Sequence, residues 1–88
     1  MITVDSWPVE ISLYEADGKT QAEARLTRDA DGMTGHGLAR RNPGDREVTQ
    51  IGEEIAAARA LSDLAHQLLS DAAGQIEGIT HQRAHLSI

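Results

Sequence analysis

Histidine is the residue type in this sequence that could bind a metal. His81 and His85 are four residues apart, whereas His36 and His66 are distant from them. Two histidines at this spacing can bind zinc from one face of a helix, but a zinc site needs three or four protein ligands. The chain has no cysteine to complete the set, and the segment around His85 is not predicted to be helical. We therefore predict no metal site and no cofactor.

Ser62, Asp63 and His66 are the residue types of a hydrolase triad. Ser62 and Asp63 are neighbours that point in different directions on a helix, and no strand-to-helix elbow supplies an oxyanion hole. The neighbouring carboxylates Glu53 and Glu54 also diverge, and they lie near the predicted start of a helix, where the helix dipole stabilises their charge. We predict no catalytic residue, and thus a protein that is not an enzyme.

Arginine could supply phosphate contacts, because guanidinium groups bind phosphate oxygens. Arg25 and Arg40 share the outer parity of the predicted sheet. If the protein contacts RNA, the predicted contacts are Arg25, Arg40, Arg41 and Arg46. However, 8 basic residues against 14 acidic ones give a formal charge of −6. This charge opposes autonomous nucleic-acid binding, which needs a basic surface, and no DNA partner is expected.

The composition describes one small domain over residues 1–88. Apolar residues make up 40% of the chain, but there is no Phe, one Trp and one Tyr, so the core must be built from small aliphatic side chains. The absence of Cys and of a secretory N-terminus predicts a cytoplasmic protein. No apolar run approaches the ~20 residues of a membrane span, so no membrane association is expected.

Three strands are predicted over residues 7–41, because apolar and polar residues alternate there. The first strand, residues 7–14, leads through a turn at Asp17-Gly18 into residues 20–28, and a second turn, Asp29-Ala30-Asp31-Gly32, leads into residues 33–41. Gly35 and Gly37 fall on the inner face of the third strand. They resemble a phosphate-binding loop only loosely, because they do not open a helix. We predict that they make room for a helix that crosses the sheet.

A long amphipathic helix is predicted over residues 50–72, after the loop at residues 42–46. Its apolar positions recur at spacings of three and four, which is the helical period. Gly74 is the predicted stop, followed by a short helical turn near residues 73–77 and an extended tail within residues 75–88. The predicted core stripe is Ile51, Ile55, Ala58, Leu61, Leu64, Ala65, Leu68, Leu69 and Ala72.

The predicted fold is thus α+β: a three-stranded antiparallel sheet with one long helix across one face. The other face stays bare, with Tyr14 and Leu38 among charged residues. The tail is too apolar for a free end. A homodimer is therefore expected, with a predicted interface of Ile76, Ile79, Leu86, Ile88, Leu38 and Tyr14.

The sequence resembles a family of small actinobacterial proteins classed as double-stranded-RNA-binding-domain-like (dsRBD-like). The matching residues lie on the second and third strands and along the helix: 22–26, 35–40, 42–43, 51–54, 57–65, 76–78 and 80–81. The resemblance implies a β-β-β-α core and homodimers formed through the C-terminal region. Dormancy-induced members resemble ribosome hibernation-promoting factors, which implies a non-enzymatic stress protein that associates with the ribosome or its rRNA.

One feature departs from true double-stranded-RNA binders, which present lysines at the start of the last helix. This chain has Glu53 and Glu54 there, and their charge repels phosphate. The alternative to a ribosome-associated protein is therefore a homodimeric protein–protein interaction module that does not bind RNA.

Overall fold

The computed structural model describes residues 2, 4–29, 31–41, 44 and 48–88. Three strands, β1 (Val9–Ala16), β2 (Lys19–Arg28) and β3 (Asp31–Arg40), precede one helix, α1 (Thr49–Thr80). The strands form an antiparallel sheet in the order β1-β2-β3. The predicted β-β-β-α fold is confirmed. The loop predicted at residues 42–46 lies, except for Gly44, outside the described residues.

The first hairpin has the tightest connection that two antiparallel strands can have. Ala16 pairs with Lys19, so Asp17 and Gly18 alone form the turn, with φ angles of 52° and 73°. Positive φ at both central residues is the type I′ geometry that matches the twist of the strands, and Asp-Gly favours it. The register then runs without a bulge from Ala16 to Val9 opposite Leu26.

The helix contacts the sheet by backbone approach and not through large side chains. Ala22, Ala24 and Leu26 of β2 are buried against Ala56, Ala60 and Leu64 of α1. A Cβ atom at Gly37 would press into the carbonyl oxygen of Ala56, and one at Gly35 would lie 2.6 Å from the amide nitrogen of Leu64. The prediction that these two glycines make room for a helix is therefore confirmed.

The predicted core stripe of the helix needs correction. Ile51, Ile55 and Leu61 are exposed, whereas Ala56 and Ala60, which the stripe omits, are fully buried. The helix approaches β3 most closely at Gly35 and Gly37, where its contacts are backbone atoms of Ala56, Ala60 and Leu64. Ile51, Ile55 and Leu61 therefore lie beside this contact and not in it. The buried residues repeat every four positions from Ala56 to Leu64.

The ends of α1 also differ from the prediction. The helix continues through Gly74 and Gly78 to Thr80, so the turn predicted near residues 73–77 belongs to it and the tail begins at His81. His81 adopts a left-handed conformation, and its amide N–H donates to the Glu77 carbonyl at 2.8 Å. At the other end Val48 is the N-cap, which puts Glu53 and Glu54 just past the first turn.

Arg28 connects the N-terminal segment, the sheet and the helix. Its Nη2 lies 3.3 Å from Oδ2 of Asp71, its Nε lies 3.2 Å from Oδ1 of Asp31, and its guanidinium lies 5.2 Å from the ring centroid of Trp7. The hydrogen bond to Asp71, followed by that to Asp31, raises the pKa of Arg28 above its ordinary value. The two carboxylates thus stabilise the charged form of the guanidinium.

Candidate functional site

The residue types of a triad do not form a catalytic arrangement. Oδ2 of Asp63 accepts from the amide N–H of His36 at 2.7 Å and from Nε2 of Gln67 at 3.2 Å. Nδ1 of His66 lies 2.7 Å from the carbonyl oxygen of Ser62, so the ring contacts helix backbone and not the serine hydroxyl. Asp63 therefore acts as a bridge between helix and sheet.

The histidines are spread over three elements. His36 lies on β3, His66 on α1, and His81 and His85 at and beyond the end of the helix, so the last two do not share a helical face. No group of three or more potential metal ligands occurs among the residues that the structure describes. Among the same described residues, no helix is long and apolar enough to cross a membrane.

Of the candidate RNA contacts, Arg40 and Arg41 are neighbours, but Arg25 lies apart from them. Arg25 and Arg40 both lie on the outer face of the sheet, as predicted, but Arg25 pairs with Thr34 in the register, six residues before Arg40 on β3. At ~3.3 Å per residue this separates them by about 20 Å. Nη2 of Arg25 lies 3.8 Å from a carboxylate oxygen of Glu23. The amide N–H of Arg41 donates to the Gly18 carbonyl, and Arg46 lies outside the described residues.

A cleft of about 430 Å³ opens between the first hairpin and the start of α1. Its charged lining consists of Glu15, Arg40 and Arg41, and the rest includes two threonines, glycines and apolar residues such as Val48 and Ile51. Thr20, buried at the floor, donates a long hydrogen bond of 3.5 Å to Glu15. Because this hydrogen bond is long and the described lining includes neither histidine nor lysine, the cleft gives no catalytic assignment.

The two edges of the sheet differ in a way that the side chains explain. At the β3 edge, three polar side chains at intervals of four on α1 contact the backbone. Nη1 of Arg59 donates to the Leu38 carbonyl at 2.6 Å, Asp63 accepts from the His36 amide, and Nε2 of Gln67 donates to the Thr34 carbonyl at 2.7 Å. The helix thus satisfies three of the outward backbone groups of β3, which are groups that an edge strand otherwise exposes.

At the β1 edge the backbone groups have no such partners within the described chain. The amide of Thr27 donates to the Pro8 carbonyl at 3.0 Å, which fixes the phase of the β1–β2 ladder. Because hydrogen-bonded and non-hydrogen-bonded pairs alternate in an antiparallel ladder, the even-numbered residues of β1 bond to β2. Val9, Ile11, Leu13 and Glu15 therefore direct their N–H and C=O groups away from the sheet.

The same strand also carries the largest apolar exposure of the sheet. Val9, Ile11 and Leu13 pair with Leu26, Ala24 and Ala22, so they share the inner face with the core. The helix covers β2 and β3 and leaves these three side chains 42%, 38% and 40% exposed. The open edge and this row together, which we call the β1 strip (Val9, Ile11, Leu13 and Glu15), form the candidate functional site.

The predicted dimer residues lie on two other surfaces. Tyr14 and Leu38 are on the outer face, in one row on either side of Gln21. Ile76 and Ile79 lie on the part of α1 that projects past Asp71, the last helical residue with a hydrogen bond to the sheet among those described, and Ile79 is 81% exposed. Leu86 and Ile88 belong to the tail, which contacts the helix through a hydrogen bond of 3.2 Å from the Ala84 amide to Glu77.

Comparison with known proteins shows the family to which the chain is related. The model of the Rv2632c-like family matches residues 5–85. The chain belongs to the Rv2632c-like family. An uncharacterized protein of Mycobacterium bovis is 49% identical over 80 residues, which cover 91% of this chain and 85% of that protein. The uncharacterized protein Rv2632c of Mycobacterium tuberculosis is 49% identical over 74 residues, or 84% of this chain and 80% of that protein.

The Rv2632c-like fold is also known from experiment. The crystal structure of Rv2632c matches this chain with a TM-score of 0.84 and 44% identity, and the match covers 92% of this chain and 96% of that one. The family is therefore shown by sequence and by structure. The names of these Rv2632c-like relatives attach no activity to the family.

The β1 strip is the part of the site that the sequence analysis missed. The alternation of β1 predicts an inner row of Val9, Ile11 and Leu13, but it does not tell which strands the helix covers. One signal is present in the sequence. Ala22 and Ala24 on β2 face Gly37 and Gly35 on β3, and this small-residue surface indicates that the helix lies over β2 and β3, which leaves β1 uncovered.

Proposed function

We propose that the protein is a non-enzymatic, homodimeric protein–protein interaction module that does not bind RNA. The observation that carries the proposal is the β1 strip, where unpaired backbone groups and exposed apolar side chains coincide. Exposed apolar rows and open strand edges are the surface features that mark association between chains. The polar residues of the triad type, by contrast, form no catalytic arrangement among the described residues. Of the arginines, Arg40 and Arg41 line one cleft, whereas Arg25 lies six residues away from Arg40 in the register.

A dimer would also explain how so small a chain reaches a sufficient core. A domain of this size buries a modest share of its surface, and the buried side chains here are mostly alanines, with Leu26 and Leu64 as the largest. Association through exposed aliphatic residues adds apolar burial at roughly 25 cal/mol per Å². The outer sheet face, with Tyr14 and Leu38 among charged residues, would remain available to a protein partner.

The first test of the proposal is the molar mass in solution. We expect size exclusion with light scattering to give twice 9.5 kDa at micromolar concentration, with a transition to the single-chain mass on dilution if association is weak. A mass of one chain at every concentration up to the highest that can be measured would contradict the proposed homodimer.

The dsRBD-like resemblance implies ribosome association, and therefore RNA binding, whereas the proposed function predicts none. The separation of Arg25 from Arg40 and the net charge of −6 favour a chain that stays in the supernatant when ribosomes are pelleted. We expect no co-sedimentation at low or at physiological salt, because phosphate contacts should be strongest at low salt. Pelleting with ribosomes that weakens as salt rises, and is lost in Arg25→Ala or Arg40→Ala, would support a ribosome-associated protein instead.

A further inference from the structure

Four features of β1 make it suited to pairing with another β-strand. The strand is eight residues long, has no bulge in its register, and contains neither proline nor lysine. Short length, bulges, proline and lysine are the devices by which natural edge strands avoid pairing with another strand. Three backbone groups of the β3 edge are bonded by α1, whereas β1 has a regular register and an apolar row of Val9, Ile11 and Leu13. The charged residue on that row, Glu15, lies near the end of the strand. A strand of this kind is suited to the addition of a further antiparallel strand.

We propose that the β1 strands of two copies pair antiparallel about a two-fold axis at Ser12, which joins the two sheets into one of six strands. This inference rests on the proposed homodimer and specifies its geometry. Isologous pairing is the commonest way in which identical chains associate. In this register the outward groups of Val9 face those of Glu15 of the second copy, and those of Ile11 face Leu13, so all four residues of the β1 strip are hydrogen-bonded.

Alternative registers satisfy fewer groups or oppose like charges. If Ile11 lies on the axis, Glu15 has no residue of the second β1 strand opposite it. If Leu13 lies on the axis, the same is true of Val9. A shift that puts Glu10 on the axis sets two carboxylates directly opposite each other, which is destabilising. With Ser12 on the axis, Glu10 faces Tyr14 of the second copy and two serine hydroxyls meet at the centre.

The same register also brings the apolar rows of the two copies into contact. Residues that oppose each other on paired strands have side chains on the same face. Ile11 and Leu13 of one copy therefore contact Leu13 and Ile11 of the other on the inner face of the joined sheet. The exposed apolar row of each strand becomes the centre of a shared surface between the two helices, and the charged residues of the strand lie at its ends or on the outer face.

The test uses a single cysteine, because the chain has none of its own. Ser12 would oppose itself across the axis in a non-hydrogen-bonded pair, where the Cα atoms are about 4.5 Å apart, within the range that a disulfide spans. We expect Ser12→Cys to form a covalent dimer under mild oxidation that reductant reverses. Glu10→Cys is the matched control on the same face, and its two copies would be about 13 Å apart along the strand, so it should stay monomeric on a denaturing gel.

A second variant separates pairing from folding. The N–H of Ile11 points away from β2, so Ile11→Pro removes no hydrogen bond of the single chain, and proline is tolerated on an edge strand. We expect this variant to keep the native circular dichroism spectrum and to have the mass of one chain. If the unmodified chain is dimeric but Ser12→Cys does not crosslink and Ile11→Pro stays dimeric, the β1 pairing is overturned while the homodimer stands. Crosslinking of Glu10→Cys in preference to Ser12→Cys would overturn the register.

Discussion

Replacement of Gly37 by alanine is expected to lower the free energy of unfolding by about 3 kcal/mol, a large share of the roughly 4–13 kcal/mol available to a domain of this size. The added Cβ would collide with the carbonyl oxygen of Ala56 and the amide nitrogen of Ala60. Both are backbone atoms of α1, so the helix as a whole must move away from the sheet. Chemical denaturation followed by circular dichroism measures the loss.

The control for Gly37→Ala is the same substitution in open space. Gly74 lies inside α1, and a Cβ added there would have no atom within 4 Å beyond the helix backbone, so nothing opposes the extra methyl group. Alanine there should raise the free energy of unfolding by roughly 0.5–1 kcal/mol, because it lowers the backbone entropy of the unfolded chain. Equal effects at the two positions would contradict the close contact between helix and sheet.

Truncation of Leu64 to alanine is the second change with a large expected effect. Leu64 is 3% exposed and is the largest helical side chain in the core. Its loss should cost about 2–5 kcal/mol, from lost burial and from the cavity that remains. The other buried helical residues are Ala56 and Ala60, whose methyl groups are too small to fill the gap. The same denaturation measurement reports the change.

Leu61→Ala is the matched control for Leu64→Ala, because it removes the same atoms three residues away in the same helix. Leu61 is 42% exposed, so its truncation should cost less than about 1 kcal/mol. The two variants should be compared at one protein concentration, since association stabilises a folded chain. A loss at Leu61 as large as that at Leu64 would restore the core stripe that spacing alone predicts, because that stripe contains both residues.

The strands and the first turn can be predicted from the sequence because their signals are local, whereas Asp31 and Gly32, predicted in the second turn, belong to β3. Alternation over residues 9–13 and Asp-Gly at residues 17–18 each specify a conformation without reference to the rest of the chain. The third strand is predictable despite its glycines, and the space that Gly35 and Gly37 leave is sufficient to place the helix across the sheet. Local consistency of this kind is typical of sequences that specify one fold.

The helical end and the core stripe cannot be predicted in the same way. A single glycine costs about 1 kcal/mol in a helix, and the residues around Gly74, which include Ala72, Ala73 and Gln75, are compatible with its continuation. The buried stripe is decided by how closely the helix approaches, and that depends on the sheet. Position-by-position hydrophobicity therefore favours Ile51 and Ile55 over Ala56, which the fold buries.

The candidate site, too, can be predicted from the sequence only in part. Ser62, Asp63 and His66, whose residue types suggest chemistry, serve helix geometry and the β3 edge. The β1 strip becomes visible only when the ladder phase and the position of α1 are known, since the outward groups of Ile11 and Leu13 have no signature in the sequence. Membership of the Rv2632c-like family fixes the fold and leaves this surface as the basis of the proposed function.

Amide hydrogen exchange along β1, followed residue by residue by NMR, directly tests whether the β1 strands of two copies pair. In a single chain the amides of Ser12 and Tyr14 are protected by β2, whereas those of Ile11 and Leu13 face solvent. We predict that in concentrated solution Ile11 and Leu13 exchange as slowly as their two neighbours, and that dilution accelerates only the odd-numbered pair. Fast exchange of Ile11 and Leu13 at every concentration, beside slow exchange of Ser12 and Tyr14, would contradict the joined sheet.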